Sequence, residues 1–136
     1  AWVQAYIVAG IKSSTDMSIS SENDVVFGTQ PTGVKATAFL IADDRGESDY
    51  KNCSAVNLSG KTAGCSEVKA ALNLVDNATT PLPRLVTLKG TLVKNTWGLP
   101  GLKEVTTAIL EDGTIIGERG DEPTPPVGGV TFFCFR

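Results

Sequence analysis

The chain has 136 residues, a net charge of −3, and 41% hydrophobic and 20% charged residues, a balance that predicts one folded domain and excludes a disordered chain. An acidic chain lacks the excess of Lys and Arg on which non-specific nucleic-acid binding depends. The absence of histidine excludes Ser-His-Asp and Cys-His nucleophile systems, histidine acid–base catalysis and every zinc site that needs histidine.

The first part of the chain contains three predicted strands. Trp2–Lys12 is aromatic and β-branched and is apolar on both alternating faces, so it predicts a strand buried on more than one side. Gly10 near its end favours a bulge or bend. The polar residues 13–24 predict a surface loop. The second strand is predicted at Val34–Ala42 and a short third strand at 53–58.

One helix is predicted after the third strand. Ser66 is the expected N-cap, and Glu67 follows in the first turn, where the helix dipole favours an anion. Asp76 and Asn77 are expected to end the helix, because prolines follow closely. The helical spacing predicts one apolar stripe facing a core, formed by Val68, Ala71, Leu72 and Val75.

The second half of the chain returns to strands. Alternation predicts strands at 84–93 and at 104–110, separated by a Gly- and Pro-containing loop at 95–101. Asp112-Gly113 is a strong hairpin signal and predicts a return strand at 114–116. Residues 122–126 predict a stiff proline-rich spacer. The aromatic residues 129–135 predict a last strand that either pairs with an edge of its own sheet, the favoured alternative, or with another chain.

The order of these elements predicts the fold. A mostly β chain with small α content and a single helix between strands three and four is typical of the five-stranded OB-type Greek-key barrel, here with extra C-terminal strands. We expect a single domain, residues 1–136, with a core at about 1–112 and an extension at about 113–136. An immunoglobulin-like sandwich is disfavoured, because it lacks a helix in mid-chain.

Three cysteines leave two alternatives open. Cys53 and Cys65 close a short loop and form a disulfide if the compartment is oxidising; otherwise they are buried reduced thiols, the favoured alternative. Cys134 is unpaired in both cases. Their spacing matches no zinc or CxxC redox pattern.

An acidic turn is the one weak candidate for a metal site. Its four carboxylates offer the hard oxygen ligands that Ca²⁺ accepts, but they lack the spacing of an EF-hand loop. A solvated loop is the favoured interpretation, and no metal or cofactor is expected. The four residues are Asp43, Asp44, Glu47 and Asp49.

A tryptophan is the principal candidate for ligand binding. Trp97 lies in the loop that would join the fourth and fifth strands of an OB barrel, a loop that contributes to ligand binding in that fold. Its ring either stacks on a base or sugar or packs over the open end of the barrel as core. Tyr6 is a second aromatic candidate for the same face, although a core position is the favoured interpretation. Lys89, Lys94 and Lys103 form a small cationic neighbourhood that would steer an anionic ligand; solvation and protection of strand edges is the favoured interpretation.

Several stretches resemble a family of exported OB-fold domains of unknown function from Bacteroides and relatives. The stretches are 2–10 (WVQAYIVAG), 39–43 (FLIAD), 53–58 (CSAVNL), 72–77 (LNLVDN), 86–92 (VTLKGTL) and 97–103 (WGLPGLK). The chain departs from the family at Ala55 and Asn57, where the family commonly has Pro and Gln, and its tail after residue 112 has no counterpart. The resemblance implies an OB fold and a periplasmic or cell-surface location, often through a lipid anchor.

These observations predict a non-catalytic binding module of an exported or cell-surface protein, with a carbohydrate or protein ligand favoured over nucleic acid. The alternative is a structural or assembly domain that uses the C-terminal aromatic strand as a partner contact. An enzyme is disfavoured, because the chain has no Gly-rich phosphate loop and no paired-carboxylate motif. The sequence has no run of about 18 apolar residues and therefore no expected transmembrane segment. A signal peptide or lipid-anchor leader is expected upstream, because the chain opens directly on a strand.

Overall fold

The structure, a computed structural model, describes residues 1–15, 18–77 and 79–117. Two short 3₁₀ helices occur at Glu22–Asp24 and Tyr50–Asn52. No helix in these ranges is long and apolar enough to cross a membrane. In chain order the main elements are β1 (Trp2–Lys12), β2 (Val25–Phe27), β3 (Val34–Ala42), β4 (Ser54–Asn57), α1 (Cys65–Leu72), β5 (Arg84–Thr96), β6 (Leu99–Leu110) and β7 (Ile115–Gly117).

Five of the strands form a closed ring in the order β1, β3, β4, β6, β5 and back to β1. Every neighbouring pair in this ring is antiparallel except β4 and β6, which are parallel. The first half of β1 pairs with β5, and the second half pairs with the short strand β2. β7 pairs with β6 outside the ring. The predicted mostly β fold with one helix is therefore confirmed.

The hydrophobic core consists of two clusters on the two faces of the sheet. All five ring strands contribute to the first cluster, which therefore fills the interior of the ring, and α1 adds Val68 and Leu72 to it. The second cluster lies on the other face of β1, β3 and β4, because alternate residues of one strand divide between the two. In β3, Phe39 belongs to the first cluster and Leu40 to the second. Ile19, from the loop between β1 and β2, also packs in the second cluster.

The predicted bend at Gly10 is present as an irregularity in strand pairing. The register between β1 and β3 shifts between Gly10 and Lys12. A Cβ atom on Gly10 would overlap the side chain of Val34 and crowd Leu74. The glycine therefore serves both the bend and the close packing of β3 against β1.

Both predicted ends of the helix are wrong. The N-cap is Gly64 in a left-handed conformation, with φ 98°, and not Ser66. The helix ends at Leu72, because the side chain of buried Asn73 hydrogen bonds the backbone around it and offers an alternative to helical pairing. Val75 consequently lies beyond the helix and is 52% exposed, although it was predicted to continue the apolar stripe.

The predicted loop at 95–101 is also wrong. β5 continues to Thr96 and β6 begins at Leu99, so only Trp97 and Gly98 form the turn. The predicted hairpin at Asp112-Gly113 is confirmed by the pairing of β6 with β7. The predicted proline-rich spacer, the aromatic C-terminal strand and Cys134 lie outside the described residues.

Candidate functional site

A cleft of about 540 Å³ opens between two loops on the side of the second cluster. One wall comes from the loop between β1 and β2, and the other from the loop between β3 and β4. The volume falls within the range of small-molecule sites in proteins, about 300–1,000 Å³. The lining residues are Ser20, Ser21, Glu22, Ser48, Asp49, Tyr50 and Lys51.

The first wall is held by the carboxylate of Asp24. Its Oδ2 accepts hydrogen bonds from the amide and hydroxyl of Ser20, both at 2.9 Å, and from the amide of Ser21 at 3.3 Å. The hydroxyl of Ser21 in turn accepts from the amide of Asn23 at 3.2 Å, which completes a capping box. The hydrogen bonds from Ser20 lower the pKa of Asp24 below its usual value. Ser20 and Ser21 are thus fixed by hydrogen bonds within their own loop.

The second wall is held in the same way. Asp49 caps the 3₁₀ helix Tyr50–Asn52, and its Oδ1 accepts from the amide of Lys51 at 3.0 Å. Oε2 of Glu47 accepts from the amide of Asp49 at 3.2 Å and from Nδ2 of Asn52 at 3.3 Å. This network fixes the 3₁₀ turn that carries Tyr50 and holds the carboxylate of Asp49 at its start.

Four half-buried aromatic rings pack against the second cluster and surround this side of the sheet. Tyr50 is the one that also lines the cleft. Aromatic side chains that pack on a core with one part and remain exposed to solvent with another are typical of binding surfaces. The four are Tyr6, Phe27, Tyr50 and Trp97.

The tip of the β5–β6 hairpin is fastened to the first wall. Trp97 and Gly98 both have positive φ, 57° and 84°, as in a type I′ turn. The carbonyl of Trp97 accepts from the amide of Ile19 at 2.9 Å, one residue before the serines of the cleft. Nζ of Lys35 lies 5.0 Å from the centroid of the Trp97 ring, which is within the range of a cation–π contact.

The structure brings together only part of the predicted binding set. Trp97 and Tyr6 pack against the same cluster, as expected of one face. Lys89, however, lies over the ring of Trp2 at 5.8 Å, and Lys94 and Lys103 are exposed on β5 and β6. Among the described residues, the ammonium over Trp97 belongs to Lys35.

Sequence reasoning missed Lys35, Tyr50 and the serines at 20–21. The sequence does contain one signal for the serines: Ser21 precedes Asp24 at the spacing of a capping box, which predicts a fixed turn. Nothing local in the sequence indicates that this turn faces Tyr50.

The acidic turn does not gather its carboxylates for a metal. Within the described part of the chain, no three Asp, Glu or Cys side chains are placed to hold an ion. Asp44 accepts from the amide of Gly46 at 2.8 Å, while Glu47 and Asp49 hold the second wall of the cleft. The calcium alternative for Asp43, Asp44, Glu47 and Asp49 is therefore not supported, and the carboxylates of the last three shape the loop.

Cys53 and Cys65 are not joined by a disulfide, which corrects that alternative in favour of separate buried thiols. The thiol of Cys53 donates to the carbonyl of Asp49 at 3.4 Å, behind the cleft. The thiol of Cys65 donates to the carboxylate of Glu104 at 3.6 Å. Burial, followed by the neighbouring Glu104, raises the pKa of Cys65 and keeps it protonated.

Comparison with known families identifies one match. A family described as a domain of unknown function, DUF6359, matches residues 1–111. Neither the curated proteins nor the solved structures contain a match to the chain. The expectation of a family without an assigned function is confirmed by this match.

Proposed function

The chain belongs to the DUF6359 family of domains of unknown function, and we propose from the geometry of the chain that it is a non-catalytic binding module for a carbohydrate. The ligand binds in the cleft between residues 20–22 and 48–51. The observation that carries this proposal is the presence of an aromatic ring, Tyr50, beside hydroxyl and carboxylate groups that local hydrogen bonds hold in place.

The chemistry of the cleft matches that of a sugar. A sugar ring presents an apolar face that stacks on an aromatic side chain, and hydroxyls that both donate and accept hydrogen bonds. Tyr50 supplies the aromatic surface, while Ser48 and Asp49 supply acceptors beside it. Because the two walls are already ordered, binding loses little conformational entropy, and weak contacts are sufficient for measurable affinity.

Shape and charge favour this ligand over the two other classes. A concave cleft of about 540 Å³ suits a small ligand, whereas a protein partner needs a broad surface of about 800 Å² on each side. Glu22 and Asp49 line the cleft and would repel the phosphates of a nucleic acid, as would the net charge of −3.

We also propose that the ring is an OB-type barrel. The strand order and the position of α1 between the third and fourth ring strands support it. In that fold the face of the second and third strands, with its neighbouring loops, binds oligosaccharides or oligonucleotides. β3 and β4 occupy those positions, and the second cluster and the cleft lie on their side. The resemblance to exported domains supports a periplasmic or cell-surface location, with or without a lipid anchor.

A glycan array followed by isothermal titration calorimetry tests the carbohydrate proposal. Tyr50→Ala is expected to weaken binding at least about tenfold, whereas Tyr50→Phe retains the stacking surface and most of the affinity. Tyr6→Ala is the matched control, because Tyr6 packs on the same cluster without lining this cleft. Absence of glycan binding, or glycan binding that Tyr50→Ala leaves unchanged, would contradict the proposal.

A further inference from the structure

A second cleft, of about 360 Å³, lies between the segment that enters β5 and the turn that follows β6. It shares no lining residue with the cleft at Tyr50. Two prolines and a leucine give it apolar walls, and the remaining lining groups are polar or charged. The lining residues are Thr80, Pro81, Pro83, Arg84, Leu110, Glu111 and Asp112.

Arg84 is the unusual member of this lining. It begins β5, opposite Ile7 of β1, and its side chain is half-buried. Within the described part of the chain, its guanidinium forms no hydrogen bond and no ion pair. Burial lowers the pKa of Arg84, and the field of Asp112 opposes this shift only in part. A guanidinium that is partly removed from water is stabilised when an acceptor pairs with it, and its planar fork offers five N–H donors for such a partner.

The acidic neighbours of Arg84 restrict the kind of acceptor that fits. Oδ1 of Asp112 accepts from the amide of Thr114 at 3.0 Å, so this carboxylate stabilises the hairpin turn. Glu111 is exposed at the rim of the cleft. A simple anion attracted by Arg84 would be repelled by two carboxylates, and a simple cation would be repelled by Arg84. A ligand that carries both charges is attracted by both sets of groups.

We propose that this cleft binds a zwitterionic ligand of the amino-acid class, with its carboxylate on Arg84 and its ammonium group at Glu111. The planar guanidinium suits a carboxylate, because it donates two parallel hydrogen bonds to it. Pro81, Pro83 and Leu110 then provide the apolar surface for an aliphatic side chain. The site is independent of the carbohydrate cleft, and neither proposal depends on the other.

The test uses three ligands that share the leucine side chain and carry different charges. L-Leucine carries both charges, N-acetyl-L-leucine carries only the carboxylate of a peptide C-terminus, and L-leucinamide carries only the ammonium of a peptide N-terminus. Each is titrated into ¹⁵N-labelled protein, and the amide shifts of residues 84 and 110–112 are followed. L-Leucine is expected to saturate these shifts at about millimolar concentrations, with each analogue at least about tenfold weaker.

Two substitutions locate the site on the protein. Arg84→Gln is expected to weaken L-leucine binding at least about tenfold, and Arg45→Gln, at an arginine outside this cleft, is the matched control. Glu111→Gln is a second variant, at an exposed position, that tests the site even if Arg84→Gln misfolds. Glu111→Gln is expected to lower the affinity for L-leucine and to raise the affinity for N-acetyl-L-leucine. A loss of folded protein would lower both affinities together and cannot change their ratio.

Three outcomes would overturn the proposal. Either analogue binding as tightly as L-leucine would identify a terminus or a single charge, and not a zwitterion, as the ligand. L-Leucine binding that Arg84→Gln leaves unchanged would remove the site from this cleft. Shifts at 84 and 110–112 that never saturate would show that the cleft holds solvent alone.

Discussion

The carboxylate of Glu104 fastens Thr62 to β6 by accepting hydrogen bonds from both its amide, at 3.2 Å, and its hydroxyl, at 2.8 Å. The same oxygen accepts from the amide of Lys61 at 3.0 Å. Glu104 adopts φ 48°, a left-handed conformation that non-glycine residues rarely adopt. The strained backbone of β6 therefore aims a carboxylate at the loop before α1 and fixes the start of that helix relative to the ring.

Replacing Glu104 tests this attachment. We expect Glu104→Gln to lower the melting temperature by a few degrees, because an amide accepts these hydrogen bonds less well than a carboxylate. Thr62→Val should also destabilise the protein, and the double variant should lose less than the sum of the two single losses. Glu111→Gln, at an exposed acid outside this hydrogen-bond network, is the control. Fully additive losses in thermal unfolding would show that the two side chains do not act together.

Acid should destabilise the protein partly through the same carboxylate. The hydrogen bonds from Thr62 lower the pKa of Glu104 below its ordinary value of 4.5. A carboxylate with a lowered pKa in the folded state stabilises the protein above the unfolded value and loses this contribution as the pH falls through the folded value. Urea unfolding measured from pH 6 to about pH 3 should therefore show a smaller fall in stability for Glu104→Gln than for the parent. An equal fall in both proteins would contradict this role.

Closure of the ring depends on the absence of a side chain at Gly101. Gly101 pairs with Ala55 where β4 and β6 run parallel, and a Cβ atom there would collide with the carbonyl of Ala55. We expect Gly101→Ala to cost about 2–4 kcal/mol in urea unfolding, or to prevent folding. Gly46→Ala is the matched control, because its Cβ would make only an ordinary contact at 3.5 Å. Similar stabilities for the two variants would exclude this close approach.

The elements that sequence predicts well are long segments rich in apolar and β-branched residues. The bounds of β1 and β3 are predicted correctly, because both are long and heavily buried. β2 escapes prediction, because three residues are too few to show a period. The turn at Trp97 is wrongly predicted as a long loop. Its geometry depends on two successive positive φ angles, and a tryptophan in the sequence does not indicate a positive φ.

The cleft is less predictable than the fold for a physical reason. Each wall is a local structure, and its capping side chains are visible in the sequence. The pairing of the walls is not local, because it depends on Ile19 packing beside β3 and on its amide reaching the carbonyl of Trp97. Such contacts between distant residues leave no periodic signal, so Tyr50 and Lys35 gave no indication of their role.

The end of α1 offers a prediction that separates the expected helix from the observed one. Asn73 is 3% exposed, and its Nδ2 donates to the carbonyl of Lys69 at 2.8 Å while its Oδ1 accepts from the amide of Asp76 at 2.7 Å. Asn73→Ala leaves these buried groups without partners and should cost about 2 kcal/mol. Val75→Ala, at an exposed position, should change the free energy of unfolding by less than about 0.5 kcal/mol. A large loss at Val75 would instead support a helix that continues past Leu72.

The two buried cysteines should resist modification in the folded protein. Cys65 is buried and its pKa is raised, so little of the reactive thiolate is present at neutral pH. Iodoacetamide followed by peptide mass spectrometry should leave Cys53 and Cys65 unlabelled in buffer and label both in urea. Cys53→Ser and Cys65→Ser provide the reference for each peptide. A disulfide would instead join the two peptides, lower the combined mass by two hydrogens, and block labelling in urea until a reductant is added.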